Sequence, residues 1–497
     1  MTVLSLTVFL PLLAASLLCG PRLPSPVLRW GWVVASALEL ALVAVLWARY
    51  DTPAEGTLAF ETRVPWIPGV ASDYHVGLDG LSLPLVAMTA VVFLAAALYS
   101  LRDEDRPRSR VAVFLALETV CVGTFAAADL VLFFVFFDLS IVGMYLVIAG
   151  WGHGERARSA LLFFLYTFLG SLALLGGFIG LYVASDPHTF DMVELARQDP
   201  FAGGGTAAAV VLGAILLGLA VKTPTVPFHT WLPPAHTDAP AAGSAVLAGV
   251  LLKLGTYGFV RLGMTLLPDA WQAWAWVVLV VGLVSVLWGA LVAMAQRDLK
   301  RLIAYTSVNH MGYVVLAVGA AGVVAADTAG AREVAVSGAV TQMVSHGLVT
   351  AALFLLAGVV LERSGTYEID RFGGLAGRAP RFTALFAVAA FASLGLPGLS
   401  GFVAELQIFA GSIAAVPWSA VGLLGILLVA GLLLWTLQRL VTGEAGPATH
   451  RFSDVRAHEL LAVGPLLLLS LAIGLAPRPL LDVVEPAAAA VVAVLGR

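Results

Sequence analysis

The chain has 497 residues, 60% of them hydrophobic and 12% charged, with a formal net charge of −4. A soluble domain carries about 25% charged residues, so a mean hydropathy of +0.95 places this chain in a membrane; the slight acidity leaves no basic footprint for nucleic acid, and lipid is the expected surroundings. The two cysteines, Cys19 and Cys121, come with no CxxC pair, no clustered histidines and no glycine-rich nucleotide loop, so neither a redox cofactor nor a metal bound by this chain alone is expected.

A spanning helix needs about 20 apolar residues. Fourteen segments meet that pattern: 3–19, 28–48, 79–101, 110–127, 129–150, 158–184, 207–231, 240–264, 272–295, 300–322, 335–362, 382–415, 418–441 and 459–475. The fold class is therefore an all-α integral membrane protein. The first run lacks a basic n-region and is followed by Pro21 and Arg22, so it is expected to be a first transmembrane helix and not a cleaved leader. The tail 479–497 is apolar but short, and is expected to lie against the bundle or in the interface. Trp271, Trp274 and Trp276 fit an interfacial aromatic belt.

Basic residues set the orientation. Of the 27 Lys and Arg, 18 fall in connections after odd-numbered segments, 7 after even-numbered ones or in the tail, and two, Lys222 and Lys253, inside apolar sequence. The positive-inside rule then puts both termini outside. Asp79, Asp129 and the turn Arg297–Arg301, which includes Lys300, lie near interfaces and are expected to be solvated or pairing charges.

Two segments are interrupted. Segment seven breaks at Lys222-Thr223-Pro224-Thr225-Val226-Pro227, where the prolines free the carbonyls of Ala220 and Thr223. Segment twelve, 382–415, is too long for one span and breaks at Gly395-Leu396-Pro397-Gly398-Leu399-Ser400-Gly401. If segments 4–8 and 9–13 form two five-helix repeats, both breaks fall on the fourth helix of a repeat, and an odd repeat must be inverted. The expected division is 1–101 for helices 1–3, 110–264 and 272–441 for the repeats, and 459–497 for helix 14 and the tail. Paired broken segments point to an ion or substrate path.

Four ionisable residues sit deep in apolar sequence: Asp138, Lys222, Lys253 and Glu405. A charge at mid-bilayer costs about 2.5–3.5 kcal/mol on insertion scales, which points to function, here the passage of protons. An Asp138–Lys222 pair would act as a switch, because a nearby carboxylate favours the charged lysine; a static ion pair that fixes helix register is the alternative. His310 and His346 suit a relay, or an interhelical hydrogen bond. His229 and His236 lie near the broken end of segment seven, where capping competes with proton transfer, and their proline-interrupted spacing argues against zinc. Glu118 is a side branch or an interhelical hydrogen bond; Glu39, outside the repeats, is assigned the latter.

The stretches VKTPTVPFHTWLPPAHTDAPAAGSAVLAGVLLKLGTYG (221–258), AQRDLKRLIAYTSVNHMGY (295–313), SHGLVTAALFLLAGVV (345–360) and GLPGLSGFVAELQIF (395–409) strongly resemble the antiporter-like proton-translocating subunits of respiratory complex I. The resemblance spans about residues 75–445, and Glu405 resembles the chain M branch (mitochondrial subunit 4), where other branches carry lysine. It implies fourteen helices in two inverted repeats, with helices 7 and 12 broken. It implies a proton path through Asp138, Lys222, Lys253, His310, His346 and Glu405; His229, His236 and Glu118 are candidate accessory positions by their places in the sequence, not by the resemblance. It also implies a bacterial plasma membrane, antiporter-like neighbours on both sides, and NADH, FMN, iron–sulfur clusters and quinone in partner subunits. A subunit of a sodium/proton antiporter or of a membrane-bound hydrogenase is the alternative. The chain departs from the family pattern at Asp138 (usually Glu), Gly143 (Pro), Pro234 (Asp) and Asp238 (Glu).

Overall fold

The computed structural model describes residues 2–20, 22–54 and 56–496; Pro21 and Arg497, used above for the leader and the charge count, lie outside the described residues. Backbone in lipid must close its hydrogen bonds within its own segment, and the chain is helical nearly throughout. The helices are α1 (Val3–Cys19), α2 (Ser25–Ala48), α3 (Leu83–Tyr99), α4 (Pro107–Ala126), α5 (Leu130–Trp151), α6 (Arg156–Ala184), α7 (Met192–Gln198), α8 (Thr206–Lys222), α9 (Leu232–Asp238), α10 (Ala241–Val246) and α11 (Leu252–Gly258). They continue as α12 (Pro268–Met294), α13 (Leu299–Gly322), α14 (Ala329–Ser364), α15 (Leu375–Arg378), α16 (Pro380–Ser393), α17 (Ser400–Ala415), α18 (Leu423–Val441), α19 (Ala457–Leu475) and α20 (Arg478–Val494).

Among the described residues, 11 helices are long and apolar enough to cross a membrane. Three further segments complete the fourteen: α1, α8, and the pair α16 and α17 on either side of one break. This is a multi-pass membrane protein. The alternation holds in the packing. Connections after odd segments meet at one end: Arg106 donates to Gly150 O, Arg439 pairs with Asp370, and Arg363 grips Glu459 at 2.6 Å. Connections after even segments meet at the other, where Ala128 N donates to His75 O and Met192 N to Ala128 O.

At that second end lies an element outside the apolar segments, an antiparallel hairpin of β1 (Ala59–Ile67) and β2 (Ser72–Leu78). Its signal is the Pro68-Gly69 turn between two runs rich in β-branched and aromatic residues. His75 fastens it, through Nδ1 to Asp191 at 2.6 Å and Nε2 to Glu61 at 2.9 Å. Burial pulls the imidazole down, but the Asp191 hydrogen bond and the two carboxylate charges offset this and hold His75 above its usual value. Asp191, buried as well, is held below the usual carboxylate value by His75, by the Glu194 amide and by Arg63.

The core sits around α14, a 36-residue helix packed against α10, α13, α17, α19 and α20. The tail helix α20 lies on α14 and α3, and Gly80 abuts the Val483 carbonyl so closely that a Cβ there would collide. Three expectations are corrected. Trp271 is fully buried against Gly263 and Gly322, unlike the exposed Trp274 and Trp276, because two glycines open a slot for its ring. Segment seven does not end at 231: α9 continues it to Asp238, with prolines in its first turn, where a missing N–H costs nothing. Asp129 is not solvated but fully buried, capping α5 through the Val131 and Leu132 amides at 2.9 and 3.0 Å.

Candidate proton-transfer site

The helix α8 ends at Lys222 because Pro224 and Pro227 cannot continue it. The freed backbone finds partners inside the protein. Ala220 O accepts from Thr225 N at 3.1 Å, Val221 O from the Trp231 indole at 2.9 Å, and Val226 N donates to Ser285 Oγ of α12 at 3.0 Å. The break is thus a built feature, and it leaves Lys222 buried at a helix end. Lys222 Nζ donates to Ser140 Oγ of α5 at 3.0 Å and lies 4.9 Å from the Phe137 ring centre.

The expected Asp138–Lys222 ion pair is not formed. Asp138 is half-buried beside Ser171, its Oδ1 has no hydrogen-bond partner among the described residues, and Lys222 takes the serine two residues further along α5. Two residues are about 200° apart around a helix, so Ser140 and Asp138 face different ways. Gly143 lets α5 press on Leu117 of α4.

Segment eight runs as one helix from Ala241 to Met264, but its turns widen to π-helical geometry at Leu247–Leu251 and Phe259–Met264, on either side of Lys253. Such bulges commonly mark functional positions. Lys253 Nζ bonds the Ala248 carbonyl and His346 Nδ1 of α14, the latter at 2.6 Å. The His346 ring stands 5.4 Å from that of His310 on α13, and His310 Nε2 donates to Ser393 O at 3.1 Å. Ser393 closes α16 at the second break. There Gly395, at φ +77°, brings the backbone against the buried Glu405 carboxylate, so that a Cβ would stand 2.3 Å from Oε2. Glu405, His310, His346, Ser345, Gln342 and Ser393 line one small cavity.

The structure therefore gathers Lys253, His346, His310 and Glu405 into one buried line and holds Lys222 at the other break. The remaining residues fall elsewhere. His229 accepts from the Trp288 indole at 3.1 Å. His236 is fully buried, stacked on Phe354 at 4.4 Å, with neither ring nitrogen hydrogen-bonded among the described residues. Glu118 faces Glu39 and accepts from Ser36 at 2.8 Å. Lys300 is not a solvated charge: it is fully buried, donates to Ala239 O at 2.6 Å, and sits over the Tyr367 ring. Open carbonyls at the end of α9 give a cation that place. Asp79 pairs with Arg261.

Residues 127–431 match the family model described as NADH:quinone oxidoreductase/Mrp antiporter, transmembrane. The chain belongs to this family. It is 37% identical over 505 residues to NADH-quinone oxidoreductase subunit M of Rhodobacter capsulatus, covering 98% of this chain and 95% of that one. It is 35% identical over 488 residues to F(420)H(2) dehydrogenase subunit M of Methanosarcina mazei, with 97% and 96% covered. Among solved structures it superimposes on a chain of respiratory complex I from Thermus thermophilus with a TM-score of 0.89, at 30% identity, covering 99% of this chain and 100% of that one.

The small polar partners of this site carry almost no signal in the sequence. Ser140 carries no ionisable group, and only the fold brings α8 to it. Ser345, Ser400 and Ser470 form a chain with two 2.7 Å contacts across α14, α17 and α19; buried serines in apolar helices were its only signal. The donor set also does not fit an iron–sulfur cluster, which takes four ligands: Cys121 is buried on α4, and Cys19 on α1 donates to Arg108 O at 3.3 Å.

Proposed function

We propose that the chain is the subunit M type of proton-translocating membrane-arm subunit in an NADH–quinone oxidoreductase. NADH oxidation and quinone reduction take place in other subunits, which hold the FMN, iron–sulfur clusters and quinone. This chain is then part of a translocase and carries no redox centre of its own. The observation that carries the proposal is the buried line Lys253–His346–His310–Glu405, which connects a lysine between two π-helical stretches to the second helix break. Four protonatable groups in succession, wrapped in apolar helices, have no structural use that repays their desolvation.

Lys222 and Asp138, near the first break, form the other half of the path, with Ser140 holding the Lys222 ammonium as a positioning hydroxyl. The halves correspond to inverted repeats 110–264 and 272–441, each with its fourth helix broken. The charge bias supports both termini on the outer side of a bacterial plasma membrane, with antiporter-like subunits as neighbours on either side.

The Methanosarcina mazei relative of nearly equal identity favours a second reading for the electron donor alone, an F(420)H(2) dehydrogenase in place of an NADH dehydrogenase. The family description also admits a cation/proton antiporter. Mass spectrometry of what co-purifies with the chain from native membranes in mild detergent separates these. Flavin- and iron–sulfur-bearing NADH dehydrogenase subunits are expected; small antiporter chains alone would overturn the proposal.

A further inference from the structure

Three buried serines, Ser345 of α14, Ser400 at the start of α17 and Ser470 of α19, are turned towards one another. Ser345 Oγ stands 2.7 Å from Ser400 Oγ, and Ser400 Oγ 2.7 Å from Ser470 Oγ. A buried hydroxyl on a helix ordinarily bonds a carbonyl of its own helix three or four residues back, as Thr341 does to Ser337 O and Thr436 to Leu432 O. These three bond across helices instead. The near end of the row opens on the cavity beside Glu405: Ser345 lines it with Gln342, His346, His310 and Glu405, and Ser400 and Ser470 lie one and two hydroxyls behind. The cavity measures about 10 Å³, room for a single water. Two atoms of its lining residues, His346 Nε2 and Gln342 Oε1, are buried with no hydrogen-bond partner among the described residues, and a buried water is held by such groups.

A hydroxyl has one proton to give and can also accept, so a row of three runs in one of two directions. With Ser470 donating to Ser400 and Ser400 to Ser345, the Ser345 proton points into the cavity. Ser470 Oγ then accepts the Ser400 amide N–H, 3.4 Å away, at the far end. With the row reversed, Ser345 offers a lone pair to the cavity, and the Ser470 proton turns to the Leu466 carbonyl, four residues back in α19. Both directions are satisfied at the far end, so what the cavity holds chooses between them.

We propose that Ser345, Ser400 and Ser470 are positioning residues that form a reversible hydrogen-bond chain following the protonation of Glu405. While Glu405 is ionised, the chain donates into the cavity where the carboxylate lies. When Glu405 takes up a proton, the three O–H groups rotate and Ser345 accepts. Every serine keeps its own proton, no bond to oxygen breaks, and the change consists of rotations about Cβ–Oγ. A fixed donor would hold Glu405 in one state; a chain that turns serves both the charged and the neutral carboxyl. The inference rests on the proton-path reading of Glu405.

The test uses the intact complex reconstituted in liposomes, with Ser400→Ala, Ser470→Ala and the double variant. Ser412→Ala, at a buried serine of the same α17 outside the chain, is the control. Infrared difference spectra between resting and NADH-driven complex read carboxylic acids, and the band lost in Glu405→Gln is that of Glu405. Ser470→Ala is expected to shift this band and to lower pumping per assembled complex about threefold, the worth of one hydrogen bond, although Ser470 stands two hydroxyls from the cavity. Ser400→Ala is expected to do the same and the double variant no more, because a chain cut at Ser400 no longer reaches Ser470. A missing Glu405 band, additive losses in the double variant, or a Ser470→Ala complex that matches Ser412→Ala in band or pumping would overturn the chain. Glu405→Gln in the same preparation separates the failures: if it pumps normally, the proton path itself is wrong; if it does not while the serine variants do, only the chain is wrong.

Discussion

Lys253 Nζ and His346 Nδ1 lie 2.6 Å apart in the interior of the bundle, a hydrogen bond between two bases with, among the described residues, no ion-paired carboxylate beside them. Two cations do not share such a contact, so the pair holds a proton on one partner and a lone pair on the other. His346 passes the connection on to His310, and His310 to the open end of α16.

Removing His346 breaks this line at its second member. A hydrogen bond to a charged group is worth about 1.5–3 kcal/mol, so His346→Ala is expected to slow NADH-driven pumping roughly tenfold or more, with the complex still assembled. Proton uptake by proteoliposomes, normalised to assembled complex on native gels, checks this. An unchanged rate would remove His346 from the path.

Gly395 is needed twice over. Its φ of +77° is a left-handed conformation, and its open side holds the Glu405 carboxylate. The strain alone costs about 1–2 kcal/mol for an alanine, and the methyl would also push Glu405 away. Gly398, at φ +94° with nothing nearer than 3.8 Å, isolates the strain. Gly395→Ala is expected to cut pumping severalfold more than Gly398→Ala, while equal effects would mean that only backbone strain matters.

Trp231 ties down the first break through its indole N–H on Val221 O. Trp231→Phe keeps the ring but strands a buried carbonyl, at about 1–3 kcal/mol. The expected outcome is a lower midpoint of thermal disassembly for the complex and faster hydrogen exchange at residues 221–231. Exchange unaltered in that stretch would show that the indole bond holds nothing.

Much of this architecture is legible in the order of residues alone. Fourteen apolar runs alternate correctly because charge and hydropathy act locally, and both breaks announce themselves through Pro and Gly. Contacts across helices are another matter. That Lys222 takes Ser140 and leaves Asp138 aside depends on the rotation of α5 about its axis, and Asp138 and Ser140 stand in equally apolar sequence. Glu39, assigned an ordinary hydrogen bond, meets a second carboxyl because α2 packs on α4. Lys300, surrounded by arginines in sequence, is buried because its side chain threads back to the end of α9. Each depends on which helix faces come together.

The hairpin clasp carries a pH dependence of known sign. His75 is held above its usual value, so its contribution is complete below about pH 6.5, the ordinary imidazole value, and is lost as pH rises through the folded-state value. Asp191 is held low, so its contribution is complete above about pH 3.9 and is lost only as pH falls further. The clasp is therefore tightest between those limits. Amide exchange in Ser72–Leu78 is expected to quicken beyond its intrinsic pH dependence from pH 6 to pH 9 in wild type, but not in His75→Gln. The same quickening in both would place the dependence elsewhere.

The central claim is that this chain moves protons through its buried lysines, and Lys222→Ala tests it most directly. Proton translocation per NADH oxidised, measured in liposomes holding the purified intact complex, is expected to fall sharply while subunit composition stays that of wild type. A Lys222→Ala complex that assembles and translocates protons at the wild-type ratio would contradict the account.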